Sequence, residues 1–163
     1  MSAAAPAVAY IGLGANLGDA RATVEAAFVE LARVPGIERL RASSVYRSMP
    51  VDAGGPDFIN AVAEITTVLE PLGLLDTLHS IEAAFHRQRP FRHAPRTLDL
   101  DLLLHGDRVI DSPRLMLPHP RLHQRAFVLL PLLELCPGLS HPRLGPLAGY
   151  LDRVSDQRIE QLA

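Results

Sequence analysis

The N-terminal part of the chain shows two periods of apolar residues, one typical of a strand and one of a helix. Residues 7–14 (AVAYIGLG) form a short apolar run that ends at glycine, which predicts a β-strand. In residues 19–34, apolar side chains return every three or four positions, which predicts a helix with one apolar face. Asp19 is placed to cap the start of this helix, and Pro35 followed by Gly36 ends it.

Two further strands and a second helix follow in the middle of the chain. Residues 38–48 alternate between polar and apolar positions, and residues 58–69 are rich in β-branched side chains, so both stretches predict strands. The segment between them, 49–57, contains prolines and glycines and predicts a loop. Residues 72–88 carry apolar side chains at helical spacing and predict an amphipathic helix.

The stretch PRTLDLDLLLHG, residues 95–106, predicts a strand apolar enough to be buried on both faces. A hairpin turn is expected directly after it, with residues 108–110 as a short partner strand. Residues 118–120 (PHP) lead into a predicted third helix that ends near Glu134. The proline-rich tail from Pro137 predicts only a weak terminal helix.

The order of these elements predicts an α+β fold. Strand, helix, strand, strand, helix, strand is the ferredoxin-like βαββαβ arrangement, an antiparallel sheet with two helices on one face. Additional helical or strand structure is expected at the C-terminal end. We expect residues 1–163 to form a single domain with a core over about residues 8–138 and an irregular tail.

Composition narrows the function classes. The net charge of −2 argues against a general nucleic-acid binder. The absence of a long apolar run and of a signal-peptide pattern predicts a cytoplasmic protein with no membrane segment. The single Cys136 excludes an internal disulfide and a multi-cysteine zinc site. All 16 cationic side chains are arginines, so a phosphate site must use arginines, histidines or backbone amides and no Walker lysine exists.

Two aspartates, Asp99 and Asp101, lie within the apolar stretch 95–106. On a strand they share a face about 7 Å apart, and two such carboxylates repel each other unless a cation lies between them. Arginines are concentrated just upstream, at positions 87, 89, 92 and 96. Because Mg²⁺ typically binds one or two carboxylates together with substrate phosphates, the pattern indicates a nucleotide–metal site. A solvated strand face, or carboxylates paired with these arginines, is the alternative.

The stretch PHPRLHQRAF has two interpretations. His119 and His123 are four residues apart and suggest a zinc pair if both are helical. However, Pro120 suits the first helical position, which makes His119 a cap residue. Arg121 and Arg125 add positive charge at a helix start, where anions are favoured. Phosphate contact is therefore favoured over zinc.

Glycines in IGLGANLGD resemble a dinucleotide fingerprint at first sight. Leu17 stands where the third glycine belongs, so we interpret Gly12, Gly14, Asn16 and Gly18 as a tight strand-to-helix turn with positive φ.

Phe58 and Asn60, in the stretch DFIN, share one strand face. A ring beside an amide can hold a flat heterocycle, although ordinary core packing explains the same pattern.

Taken together, the motifs resemble those of the 6-hydroxymethyl-7,8-dihydropterin pyrophosphokinase family. The similarity runs in order through GANLGD, VYRSMPV, DFINAV, IEAAFHRQR, PRTLDLDLLLHG and PHPRLHQRAFVLLPL, with PRTLDLDLLL the most specific. The resemblance implies transfer of diphosphate from ATP to the hydroxymethyl oxygen of the pterin, leaving AMP, in folate biosynthesis. It implies small-molecule substrates and no nucleic acid, and the small domain suggests a monomer.

The resemblance also implies roles for individual residues. Asp99 and Asp101 would hold two Mg²⁺ ions that bridge the ATP phosphates, and Arg87 and Arg96 would be the catalytic arginines on the reacting phosphates. The residues implied to bind ATP are Glu82, Arg89, Arg114, His119 and Arg125. Those implied to bind the pterin are Ser48, Val51, Phe58, Asn60 and Phe127, with the two phenylalanines sandwiching the ring.

Some positions depart from the family pattern. His86 stands where the family usually has glycine, and His93 where some members have tryptophan. Pro120 replaces an aromatic residue, and Phe58 lacks the hydroxyl of a tyrosine found there in other members. Two other classes remain open at this point: a metal-dependent phosphohydrolase that uses His119, His123 and the two aspartates, and a non-catalytic ligand-binding module.

Overall fold

The computed structural model describes residues 5–49, 57–86 and 98–162. Up to β5, its elements are β1 (Ala7–Ala15), α1 (Ala20–Ala32), β2 (Ile37–Ala42), β3 (Tyr46–Ser48), β4 (Phe58–Thr67), α2 (Pro71–His86) and β5 (Asp99–His105). Helix α3 (Ala126–Leu135) and five short strands follow: β6 (Ile110–Asp111), β7 (Met116–Leu117), β8 (Ser140–His141), β9 (Gly145–Pro146) and β10 (Ile159–Gln161). Two 3-10 helices cover Leu122–Gln124 and Leu147–Val154.

The main sheet has the strand order β10-β3-β4-β1-β5, and β2 also pairs with β4. Every pairing in this sheet is antiparallel. Strand β5 therefore lies at one edge of the sheet and pairs, among the described strands, with β1 alone. This is the ferredoxin-like arrangement that the element order predicts, so the predicted fold class is confirmed.

Alternating side chains of the central strands build two cores, one on each face of the sheet. Ile11 of β1 and Leu74 of α2 belong to the core between the sheet and helices α1 and α2. Tyr10 of β1 and Leu129 of α3 belong to the core on the opposite face. The first two helices thus share one face as predicted, and the C-terminal part of the chain covers much of the other. Across the described ranges, no helix combines the length and apolarity that crossing a membrane requires.

The start of α1 is fixed as predicted. The Asp19 carboxylate accepts a hydrogen bond from the Ala22 amide at 3.1 Å, which satisfies a backbone donor of the first helical turn. Helix α2 begins at Pro71, whose missing amide hydrogen is not needed at that position.

The strand predicted over 38–48 is two strands rather than one. Strand β2 ends at Ala42; the Ser43 amide still donates to the Val62 carbonyl at 2.9 Å, but side chains bond to the neighbouring backbone groups. The Ser43 hydroxyl accepts from the Val62 amide at 2.9 Å, and the Ser44 amide donates to the Glu134 carboxylate at 2.9 Å. These bonds satisfy groups that a continuous ladder would pair, so the chain can change direction at this point.

The pairing predicted for residues 108–110 is wrong. Ile110 begins β6, which pairs with β7 rather than with β5. The Gly106 amide donates to the Val8 carbonyl of β1 at 2.8 Å, and Gly106 has a φ of 56°. The turn after β5 is therefore held against β1, and the chain leaves the sheet instead of forming a hairpin on its edge.

The third helix and the tail also differ from the prediction. Helix α3 begins at Ala126 rather than at Pro120, and the Ala126 amide donates to the Gln157 side chain at 2.9 Å. The tail does not end in a weak helix: a 3-10 helix is followed by β10, which pairs with β3. Long-range contacts of this kind override the weak local preference of the tail.

Candidate active site

Strand β5 presents two carboxylates on one face. Asp99 and Asp101 are exposed, while Leu100 and Leu102 between and after them are buried, as the alternation of a strand requires. Asp101 has no ion-pair partner among the described residues. The buried side of the strand fixes the direction in which both carboxylates point.

The neighbouring strand carries a glycine opposite each aspartate. Gly12 is in register with Asp101, and Gly14 with Asp99. Both glycines lie within β1, and positive φ occurs instead at Gly18, so the interpretation of Gly12 and Gly14 as turn residues is wrong. A Cβ at Gly14 would lie 3.3 Å from the Asn60 Nδ2 atom. Because neither glycine carries a side chain, the backbone of β1 itself lines the space beside the carboxylates.

A cleft of about 340 Å³ occupies this space. Four of the residues predicted to bind the pterin line it: Ser48, Phe58, Asn60 and Phe127. The buried Ser48 hydroxyl donates to Asn60 Oδ1 at 2.7 Å, which orients the amide and leaves its Nδ2 group as a donor for a ligand. We call this space the inner cleft; an aromatic pair with one oriented amide suits a flat heterocycle.

A second, more open cleft of about 590 Å³ is also lined by the two aspartates. Its lining is polar and includes His79, Glu82, Asp99, Asp101, His119, Arg121 and Arg125. Asp99, Asp101, His119 and Arg125 line both clefts. We call this space the outer cleft; its arginines and histidines suit an anionic ligand. The two carboxylates therefore lie where two differently lined clefts meet.

His119 lies in a turn rather than in a helix. Its amide donates to the Leu103 carbonyl at 3.0 Å, and its Nδ1 atom accepts from the Arg121 amide at 3.1 Å. Burial lowers the pKa of His119, and the negative charge of Asp101 acts in the opposite direction. A neutral imidazole in this position can bind a ligand group by hydrogen bonding through Nε2.

The geometry does not support a zinc pair of His119 and His123. His123 belongs to a 3-10 helix, and its ring packs edge-on against Tyr150 with centroids 5.0 Å apart. Among the described residues, no group of three or more potential ligands (His, Cys, Asp or Glu) could hold a metal ion.

Of the two described arginines predicted to bind ATP, only Arg125 is in the site. Its guanidinium lies 5.4 Å from the centre of the Phe127 ring, and Arg125 lines both clefts. Arg114 instead forms an ion pair with Asp76 of α2 and lines neither cleft.

Glu82 lines the outer cleft, but its carboxylate also bonds to the backbone of β5. The remaining predicted site residues, Val51, Arg87, Arg89 and Arg96, lie outside the described residues.

Several cleft residues were not predicted from the sequence as ligand contacts: Gly12, Gly14, His79 and Val128. For the two glycines a signal did exist. Glycines two apart in an otherwise apolar strand place two missing side chains on one face, which indicates a close approach of backbone to a ligand. For the others the sequence held no comparable signal.

The donor set of the site fits Mg²⁺. Two carboxylates project from one rigid strand, and the arrangement lacks a third described protein ligand. Mg²⁺ characteristically accepts one or two carboxylates, with phosphate oxygens and waters completing the octahedron. The aspartates therefore suit a metal that arrives together with a phosphorylated ligand.

The fold and the site define the class: a ferredoxin-like α+β protein with two small-molecule clefts that share a pair of carboxylates. The chain belongs to the 7,8-dihydro-6-hydroxymethylpterin-pyrophosphokinase (HPPK) family, whose sequence profile matches residues 10–137.

Named relatives agree with this membership. A Synechocystis 2-amino-4-hydroxy-6-hydroxymethyldihydropteridine pyrophosphokinase is 45% identical over 84% of this chain and 70% of its own length. The Pseudomonas aeruginosa protein of the same name is 45% identical over 94% of this chain and 95% of its own length.

A solved structure supports the fold. Plasmodium falciparum HPPK-DHPS with pteroate superimposes with a TM-score of 0.72 over 99% of this chain, at 14% identity. The chain spans 47% of the length of that protein.

Proposed function

We propose that this protein transfers diphosphate from ATP to the hydroxymethyl group of 6-hydroxymethyl-7,8-dihydropterin, giving AMP and the pterin diphosphate, as a step of folate biosynthesis. The observation that carries the proposal is the position of Asp99 and Asp101 at the junction of the inner and outer clefts. A reaction that joins a flat heterocycle to a polyphosphate needs its charge-neutralising groups at such a junction.

The inner cleft is assigned to the pterin. Phe58 and Phe127 provide the apolar faces, and the amide of Asn60, oriented by Ser48, provides a donor to the ring edge. The outer cleft is assigned to ATP, with His119 and Arg125 next to its phosphates and Glu82 in its wall. Arg114, Arg87, Arg89 and Arg96 remain proposed phosphate contacts on the family resemblance alone, as does Val51 for the pterin.

The chemistry asks the protein for positioning and charge neutralisation. The hydroxymethyl oxygen bonds to the β-phosphorus, the bond from that phosphorus to the bridging oxygen of the α-phosphate breaks, and AMP leaves. The hydroxyl proton is lost during the transfer. No covalent intermediate with the protein is required, so Asp99 and Asp101 act by holding charge in place.

Asp99 and Asp101 would hold Mg²⁺, which we propose as two ions. When bound, Mg²⁺ would neutralise charge on the ATP phosphates. We further propose that residues 1–163 act as one pyrophosphokinase domain, as a monomer in the cytoplasm.

The proposed reaction is tested by mixing the protein with ATP, Mg²⁺ and hydroxymethyldihydropterin and separating the products by chromatography. We expect AMP and pterin diphosphate in equal amounts, and no AMP when the pterin is omitted. ATP labelled at the β-phosphorus should transfer its label to the pterin. Release of inorganic phosphate or diphosphate without a pterin product would identify a hydrolase and overturn the proposal.

A further inference from the structure

The edge of strand β5 that faces away from β1 is bonded by two side chains of helix α2. The amide of Leu100 donates to the Glu82 carboxylate at 2.8 Å. The carbonyl of Leu98 lies 3.2 Å from His86 Nε2. Because a carbonyl only accepts, Nε2 must carry the proton and donate.

Leu100 lies in β5 and Leu98 directly precedes it, so these two backbone groups lie along one edge of the extended chain. In a β-strand, the N–H and C=O groups of a residue point to one side and those of the next residue to the other, so Leu98 and Leu100 face the same way. Asp99 lies between the two bonded residues, and Asp101 follows directly after them. The side chains of Leu98 and Leu100 are at most 4% exposed and pack in the core that α2 helps to form.

The helix supplies both partners from one face. Glu82 and His86 are four residues apart in α2, a spacing that places their side chains one above the other. His86 is the last described residue of α2, and Glu82 is only 9% exposed. Two side chains one helical turn apart therefore bond to this stretch of chain: Glu82 accepts a hydrogen bond from Leu100, and His86 donates one to Leu98.

We infer that Glu82 and His86 form a positioning pair that fixes the register and direction of the two carboxylates of Asp99 and Asp101. An edge strand has a ladder partner on one side only, and its free backbone groups otherwise bond to water. Glu82 and His86 take the place of water as hydrogen-bond partners of the backbone groups on either side of Asp99. This role rests on the proposed function, in which the two carboxylates hold a metal with the ATP phosphates.

The bonds of the pair act on the strand itself, in addition to the place of Glu82 in the wall of the cleft assigned to ATP. Glu82 lines the outer cleft, but its bond to Leu100 serves the strand whether or not a ligand is present. His86 stands where the family resemblance leads one to expect glycine, and glycine has no side chain that could donate to Leu98. The hydrogen bond from His86 is therefore a feature of this chain's own sequence.

The first test measures amide exchange of Leu100 in the metal-free protein by NMR, with the amides of β4 as reference for global stability. In Glu82→Leu, which has no acceptor, we expect Leu100 to exchange at least about tenfold faster while β4 is unchanged. Glu82→Gln keeps an acceptor oxygen and should retain most of the protection. Equal protection of Leu100 in the wild type and Glu82→Leu would overturn the pair.

The second test measures Mn²⁺ affinity by electron paramagnetic resonance in the presence of an unreactive ATP analogue. Loss of an outer partner typically weakens metal binding by about 10- to 100-fold, and we expect this range for Glu82→Leu and a smaller loss for His86→Phe. His86→Gln, which can still donate, should bind Mn²⁺ more tightly than His86→Phe. Faster Leu100 exchange with unchanged Mn²⁺ affinity would overturn the positioning role.

The two proposals fail in different ways. If the wild-type protein forms no AMP from ATP and the pterin, the proposed function is wrong, while Leu100 exchange still decides whether Glu82 holds the strand. If Glu82→Leu does not fold, the comparison of His86→Phe with His86→Gln decides the inference, because His86 is only partly buried.

Discussion

On one face of the sheet, the carboxylates at the two ends differ in exposure and in their hydrogen-bond partners. At the end away from the clefts, Glu64 of β4 lies opposite Tyr10 of β1, and its side chain is 19% exposed. Tyr10 donates to it at 2.7 Å, and the Arg41 guanidinium donates to both its oxygens at 2.8 and 3.0 Å. Arg41 also donates to the Leu135 carbonyl at the end of α3.

At the other end of the same face, Asp101 lies opposite Gly12 and is exposed, without an ion-pair partner among the described residues. The difference separates two uses of charge. A carboxylate whose hydrogen bonds are completed by the protein attaches one element to another. A carboxylate left open beside glycines on a rigid strand is available to a ligand, at the cost of repulsion that only a bound cation relieves.

The largest expected effect comes from replacing Asp101, the exposed carboxylate beside the clefts. We expect Asp101→Asn to lower turnover by about 10³-fold or more, because a metal contact contributes several kcal/mol to transition-state stabilisation. Its thermal unfolding should remain close to that of the wild type, since the side chain is exposed. Glu64→Gln is the matched control on the same face, and it should keep activity per folded molecule. Comparable turnover losses in both variants would contradict the distinction between a ligand-binding Asp101 and a structural Glu64.

Replacing Glu64, the carboxylate bonded by Tyr10 and Arg41, should change the stability of the fold rather than turnover. We expect Glu64→Leu to lower the free energy of unfolding by about 1–3 kcal/mol, because the Tyr10 hydroxyl loses its charged acceptor. Urea denaturation followed by circular dichroism measures this change. A destabilisation as large for Asp101→Leu would show that both carboxylates serve the fold.

A smaller effect is expected within the inner cleft. Ser48→Ala removes the donor that orients Asn60, and we expect pterin affinity to fall about tenfold, in line with a buried hydrogen bond of about 1 kcal/mol or somewhat more. ATP affinity should stay within about twofold of the wild type. Calorimetry with each ligand measures the two affinities. Ser80→Ala, at an exposed position of α2, provides the control. An equal loss for ATP would contradict the assignment of the two clefts.

The smallest effect concerns pH. Hydrogen bonds from Arg41 lower the pKa of Glu64 below its ordinary value of 4.5, although burial opposes the shift. A carboxyl with a lower pKa in the folded state stabilises the protein above pH 4.5, and this contribution is lost as the pH falls through the folded pKa. The melting temperature of Glu64→Gln should therefore fall less steeply below pH 4.5 than that of the wild type. Parallel curves would show that Glu64 contributes no such dependence.

Much of this molecule follows from local pattern. The period of the apolar residues predicts α1 with its Asp19 cap, the strand at β4 and the helix at α2, because each of these signals depends only on nearby residues. The spacing of Asp99 and Asp101 likewise places both carboxylates on one face. Motif order predicts the family before any coordinates are considered.

Other features depend on residues far apart in the chain. The side chain of Gln157 accepts a hydrogen bond at the start of α3, so the helix start could not be predicted from nearby residues. The turn after β5 bonds to Val8, so the pairing of β6 could not be predicted locally either. The same holds for Arg114, whose partner Asp76 lies on another element. Weak local preferences are decided by such long-range contacts.

The sequence by itself determined which residues carry charge, which face of β5 the two aspartates share and which family the chain resembles. Only the tertiary structure decided that Gly12 and Gly14 lie opposite those aspartates, that two clefts meet there, and that Glu82 and His86 bond to the strand's free edge. The physical reason is range: side-chain alternation is a property of a single strand, whereas register and edge bonding arise only when separate segments pack together.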